Sequence, residues 1–281
     1  MKKMSVIGAG TMGAGIAQVF AQTGWQVVLA DHSLSLAKKG LGKIKSDMTR
    51  LVQKEKLSQD AMEQTIGVIT VTDRLEQCDG STLVVEAVYE DLRVKQDLFC
   101  TLEKIVQADT ILASNTSSIS ITQIAAALTE KGRFAGMHFF NPAGVMNLVE
   151  VIAGMQTSAD TTASIIAIAK EINKTPVPVD EGPGFVVNRL LIPMINEAIG
   201  IYAEGIASAQ SIDTAMKLGA NHPIGPLSLG DLIGLDICLA IMEVLHDEFR
   251  DHKYSAHPLL RKMVRAGMLG KKTGQGFFTY Q

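Results

Sequence analysis

MSVIGAGTMG, residues 4–13, sets an apolar run against three glycines, Gly8, Gly10 and Gly13. MSVI reads as a strand and the following TMGAGIAQVFAQTG as a helix. Each glycine answers a different physical need. The first allows a tight turn, the second lets a pyrophosphate approach the backbone, and the third lets helix and strand pack closely. Thr11 and Met12 open the helix, where unsatisfied N–H groups favour phosphate. A glycine triplet alone is a weak signal, but Asp31 closes the next apolar run, WQVVLAD, eighteen residues after Gly13. A carboxylate there accepts from both ribose hydroxyls and repels a 2′-phosphate, so NAD is the expected cofactor. His32 and Ser33 beside it leave NADP open.

Outward from this unit the chain keeps alternating. GVITVT, TLVVEAV and TILASN read as further strands, and residues 33–56 and 92–107 as helices. Such alternation predicts parallel βαβ units with helices on both faces, an α/β Rossmann-like domain. RFAGMHFF, NLVEVIAG and TPVPVD are candidates to extend the sheet, with a helix over about 158–173 before the last. After DEGPGF, residues 180–185, four helical patterns follow (186–205, 208–220, 228–249 and 257–269), and a strand is expected only in the FFTY tail. The expected division is therefore a dinucleotide-binding domain over 1–182 and an all-α domain over 183–281, hinged at the Gly-Pro-Gly run.

With 281 residues, 47% hydrophobic and 20% charged, the chain has ordinary globular composition and length for two domains. A net charge of −3 gives no reason to expect nucleic acid or an anionic membrane as partner. No apolar run approaches the ~20 residues of a membrane span, and no secretory leader is expected. Cys78, Cys100 and Cys238 lack metal spacing and read as free thiols of a reducing cytoplasm; no metal is expected.

Several polar residues stand in apolar surroundings. His138 and Glu150 lie twelve residues apart, one in each of two strand-like runs. Paired, they would make a general base with a carboxylate fixing its tautomer; unpaired, they would be a satisfied core histidine and an unrelated surface acid. Spacing alone leaves both open. SNTSS, residues 114–118, with Asn115 and Ser117, follows a strand at its carboxyl end and offers either hydroxyls and an amide to ligands or a helix cap. Asn188 and Arg189 interrupt an apolar helix, as a brace or as ligand contacts. Lys271 and Lys272 either close over a phosphate or sit in a solvated loop. The basic stretch with Lys43, Lys45, Arg50, Lys54 and Lys56 is either a charged helix face or a landing strip for an acidic substrate tail.

GAGTMG, VVEAVYEDLRVK, SNTSS, HFFNP, GPGFVVNRLL, DTAMKLGANHPIGPLSLGDLIGLD and GKKTGQGF together resemble the signatures of the 3-hydroxyacyl-CoA dehydrogenase family, in its order and from end to end. The resemblance implies a reversible hydride transfer between NAD(H) and a 3-hydroxyacyl-CoA of S configuration, such as 3-hydroxybutyryl-CoA. It implies His138 as the catalytic histidine, Glu150 as its paired acid, and Ser117 and Asn188 beside the reacting oxygen. It places Glu90, Lys95 and Asn141 around the cofactor and gives Lys272 a reach to it. Ser46, Arg50 and Lys54 are candidates for CoA. A homodimer formed through the helical domain is implied as well. The alternatives are an NAD-dependent dehydrogenase of a hydroxy acid without CoA, and an NAD-binding relative that has lost catalysis.

Overall fold

The glycine-rich opening folds as a strand–turn–helix. In a computed structural model, which describes residues 2–280, β1 (Lys3–Ile7) enters α1 (Thr11–Gln22) through the Gly8–Gly10 turn. β2 (Gln26–Ala30) returns in parallel with Ile7 opposite Ala30. There follow α2 (Leu34–Gln53), α3 (Gln59–Gly67), β3 (Ile69–Thr72), β4 (Leu83–Glu86), α4 (Leu92–Glu103) and β5 (Ile111–Ser114). The strands β1, β4 and β5 are almost wholly buried, which is why they read as continuous apolar runs rather than alternating ones. On α2 the buried residues Ala37, Gly40, Ile44 and Met48 form one stripe at helical spacing, leaving the basic residues outside.

α5 (Ile121–Ala125) leads to β6 (Phe134–Phe139), β7 (Leu148–Ala153), α6 (Ala159–Glu171) and β8 (Thr175–Asp180). The single sheet has the order β3-β2-β1-β4-β5-β6-β7-β8. All neighbours are parallel except β6 and β7, which form an antiparallel pair. β7 and β8 therefore run against the other six strands. β8 carries Pro176 and Pro178 at the sheet edge, where a missing N–H costs least.

The chain divides into two compact units at Gly182 and Pro183. The second holds α7 (Val187–Ala203), α8 (Ala209–Gly219), α9 (Pro226–Ile233), α10 (Leu235–Phe249) and α11 (Pro258–Arg265) around a core that includes Ile192, Ile195, Leu227, Leu235 and Leu245. Three details depart from the sequence reading. α3 was not anticipated, because QDAMEQTIG buries only Thr65 and shows no apolar stripe. The pattern over 228–249 breaks at Gly234, whose φ of +107° ends α9 and starts α10. The FFTY tail is no strand; only isolated bridges tie Gln275 to Gly270 and to Thr279.

Candidate active site

The antiparallel pair decides how the two apolar runs with one ionisable group each are used. Its register sets His138 directly opposite Glu150. Opposed residues on antiparallel strands project to the same face within about 5 Å, and here His138 Nδ1 lies 2.8 Å from Glu150 Oε2. Both side chains are buried, Glu150 almost completely. A carboxylate can only accept, so Nδ1–H donates to Glu150 and keeps its proton, which leaves the Nε2 lone pair on the opposite edge of the ring. The Phe140 ring packs against the imidazole at 4.6 Å between centroids.

At the carboxyl end of β1 the glycine loop meets the requirements of a dinucleotide. A Cβ at Gly13 would stand 1.7 Å from the Gly8 carbonyl oxygen, so only glycine lets α1 approach the strand. Gly10 is exposed, with no atom within 4 Å of where its Cβ would be, and α1 begins there without a side-chain cap. An open cradle at an uncapped helix N-terminus suits a pyrophosphate. Asp31 stands just past the end of β2. Its Oδ2 accepts from the Ala9 N–H at 2.7 Å and its Oδ1 lies 2.8 Å from both the His32 N–H and His32 Nδ1. The same carboxylate that suits a ribose therefore also braces the glycine loop.

Residues 114–118 are neither a helix cap nor a loose loop. The cap of α5 is Ser120, whose hydroxyl accepts from Gln123 N–H. The 114–118 segment is gathered instead by Glu90. Glu90 Oε1 accepts from the N–H groups of Ser117 and Ser118, at 2.9 and 3.1 Å, and from the Thr116 hydroxyl. Lys95, buried on α4, lies between Glu86 and Glu90 with its ammonium 2.6 and 3.2 Å from them. Burial alone would push the Glu90 carboxyl up. The Lys95 ammonium and the bonds from Thr116 and Ser117 outweigh it and hold Glu90 below the usual carboxylate range. Asn115 reaches across to β6, where its Oδ1 accepts from Phe139 N–H at 2.8 Å, one residue from the histidine.

Residues 3–182 match the model of the 3-hydroxyacyl-CoA dehydrogenase NAD-binding domain, and residues 184–280 that of the same family's C-terminal domain. The chain belongs to the 3-hydroxyacyl-CoA dehydrogenase family. It is 52% identical to a 3-hydroxybutyryl-CoA dehydrogenase of Clostridioides difficile, over 99% of each chain. It is 44% identical to the human mitochondrial hydroxyacyl-coenzyme A dehydrogenase, over all of this chain and 92% of that one. Among solved structures, the (S)-3-hydroxybutyryl-CoA dehydrogenase of Ralstonia eutropha superposes with a TM-score of 0.95 at 47% identity, covering 100% of this chain and 99% of that one. This protein is thus an oxidoreductase with a Rossmann-type NAD-binding domain followed by a helical one.

The remaining candidate residues of the dehydrogenase fall in distinct places. Asn141 is exposed at the start of the loop joining β6 to β7, which Lys174 anchors by donating to the carbonyls of Ala143 and Met146 at 2.7 and 2.8 Å. Burial without a facing carboxylate lowers the Lys174 pKa. Ser46, Arg50 and Lys54 are exposed at intervals of four along or just after α2, and so share one face; Arg50 also lies 3.5 Å from Asp47. In the second unit, Asn188 is buried on the first turn of α7. Lys272 pairs with Asp236 at 2.5 Å. Two residues near the first unit's site were missed from sequence, Glu86 and Lys174. The signal for Glu86 was available: a glutamate closing the apolar run LVVE, with a lysine nine residues on.

Proposed function

We propose that this dehydrogenase interconverts (S)-3-hydroxybutyryl-CoA and acetoacetyl-CoA, with His138 as general acid and base. The directly opposed His138–Glu150 pair carries the reading. NAD, when bound, supplies a hydride acceptor at its nicotinamide ring. Gly8, Gly10, Thr11, Met12 and Gly13 take the pyrophosphate, and Asp31 takes the ribose. His138 Nε2 removes the hydroxyl proton of the substrate, and Glu150 balances the imidazolium that forms. In the reductive direction protonated His138 returns that proton to the ketone oxygen. Ser117 is assigned as the hydroxyl that orients the reacting oxygen, so that proton and hydride leave in a fixed geometry. Asn188 and Lys272 keep the roles toward substrate and cofactor that the family resemblance gives them, to be tested by substitution. The exposed face of α2 with Ser46, Arg50 and Lys54 is assigned to the CoA phosphates. A homodimer working in the cytoplasm, in fatty acid or butanoate metabolism, completes the reading.

The test is NADH oxidation by the purified protein with acetoacetyl-CoA, run beside NADPH and beside free acetoacetate. Turnover with the thioester and NADH, and little with the free acid, is the expected result. Equal turnover of free acetoacetate would favour a dehydrogenase of hydroxy acids without CoA. NADH binding without any turnover would favour a silent relative.

A further inference from the structure

Glu86 is a buried carboxylate that proton transfer at His138 does not use. It ends β4 with no exposed surface. Its Oε1 accepts from the Val88 N–H and from the Lys95 ammonium, each at 2.6 Å, and its Oε2 accepts from the Ser114 hydroxyl, also at 2.6 Å. Apolar residues of similar volume commonly stabilise such a place as well as an ion pair does, because desolvating two charges is costly. Stability therefore gives no sufficient reason for the pair.

Geometry gives a better one. Held by Glu86, the Lys95 ammonium lies 3.2 Å from Glu90 Oε2. The other Glu90 oxygen is left to gather the N–H groups of Ser117 and Ser118 and the hydroxyls of Thr116 and Ser118. The Ser117 hydroxyl itself stands 3.4 Å from it. Glu86 also grips β5 through Ser114, whose hydroxyl oxygen accepts from Thr116 N–H at 3.1 Å. One buried acid thus reaches the 116–118 loop from both sides.

We propose that Glu86 is a positioning residue for the reaction: through Lys95 and Glu90 on one side and Ser114 on the other, it fixes the loop that carries Ser117. The role of Lys95 toward the cofactor then runs through Glu90. The inference rests on the assignment of Ser117 to the reacting oxygen.

Glu86→Gln tests it with little change of shape. The amide oxygen still accepts from Val88 and Lys95, and the amide nitrogen donates to the Ser114 hydroxyl, which can accept. The charge that holds Lys95 is removed, and the bond to Ser114 reverses its direction. The expected result is a ~10-fold fall in kcat with acetoacetyl-CoA, the order expected when a reacting group is displaced by less than 1 Å. Without substrate or cofactor, amide exchange should quicken in a peptide spanning 115–120 while β1 and the rest of β5 keep their protection. In a Ser117→Ala background the further loss should nearly vanish, because both changes act on one hydroxyl. Losses that multiply, or exchange that rises throughout the sheet, would make Glu86 merely structural and overturn the proposal. Near-normal turnover in Ser117→Ala alone would overturn the assignment of Ser117, and this inference with it. If Glu86→Gln does not fold, Glu86→Gln combined with Lys95→Met removes both buried charges and carries the same exchange and background tests, with the same outcomes deciding.

Discussion

Glu90 in the first unit and Asp231 in the second grip their surroundings in the same manner. Glu90 accepts from two backbone N–H groups and from hydroxyls of the 116–118 loop. Asp231 accepts from the N–H groups of Phe277 and Phe278, at 3.0 and 2.9 Å, and from the Tyr280 hydroxyl. Yet their carboxyls shift in opposite directions. Burial raises Asp231, more than the three donors lower it, and the like charge of Asp213 adds to the rise. Glu90 is lowered, because Lys95 together with the bonds from Thr116 and Ser117 outweighs its desolvation. The difference lies in the partner. Asp231 is a clasp for the chain terminus, packed so closely that a Cβ at Gly276 would stand 2.0 Å from its Oδ1. Asp213 is another, holding the N–H groups of Leu227 and Ser228 at the start of α9. Glu86, Glu90 and Glu150 instead each face a cation or a histidine. A carboxylate held only by neutral donors braces; one with an ionisable partner is also held by charge.

That contrast breaks most visibly at Glu150. Glu150→Gln keeps the size of the side chain, but its amide nitrogen can donate to His138 Nδ1 and so favour the wrong tautomer. We expect kcat to fall by ~10²-fold or more while NADH binding is retained, measured by steady-state turnover and fluorescence titration. Asp231→Ala should do the reverse. It leaves two backbone donors without their acceptor, a loss of about 2 kcal/mol or more in urea unfolding, and it does not touch His138 or Glu150.

The pH dependence of stability sharpens the same comparison. Glu90 is lowered on folding, so its contribution is fully present above the ordinary glutamate pKa of 4.5 and is lost as pH falls through its lower folded value. Asp231 is raised, so its contribution is present below the ordinary aspartate pKa of 3.8 and is lost as pH rises through its higher folded value. Urea unfolding from acid to neutral pH should therefore show the stability gap between the parent and Glu90→Gln widening with pH, and that between the parent and Asp231→Asn narrowing. The smallest effect is expected on α2. Arg50→Ala should raise KM for acetoacetyl-CoA about 2–5-fold, in keeping with an exposed, salt-screened contact, and leave kcat unchanged. A salt titration of KM checks it, since the difference should fade as ionic strength rises.

Much of the first unit was legible because its constraints are local. Three glycines and an aspartate at set spacings can serve one strand–turn–helix–strand geometry, and that geometry formed. The pairing of His138 with Glu150 was not legible in the runs themselves, since an apolar run has the same composition whichever way it travels. The eight residues from 140 to 147 held the answer: they are too few for a parallel crossover and imply a hairpin. The role of Glu90 was hidden for another reason. A carboxylate that gathers a loop 26 to 28 residues away leaves no local trace. α3 stayed hidden because it buries almost nothing, and the break at Gly234 because apolar residues continue on both sides of it.

The most direct test of the central claim is single-turnover hydride transfer in His138→Ala, followed by stopped flow after mixing the NADH complex with acetoacetyl-CoA. A general acid at His138 predicts a fall of ~10²–10⁴-fold in that rate with NADH affinity unchanged. A rate close to the parent's would contradict it, and the His138–Glu150 pair would then be a buried brace like Asp231.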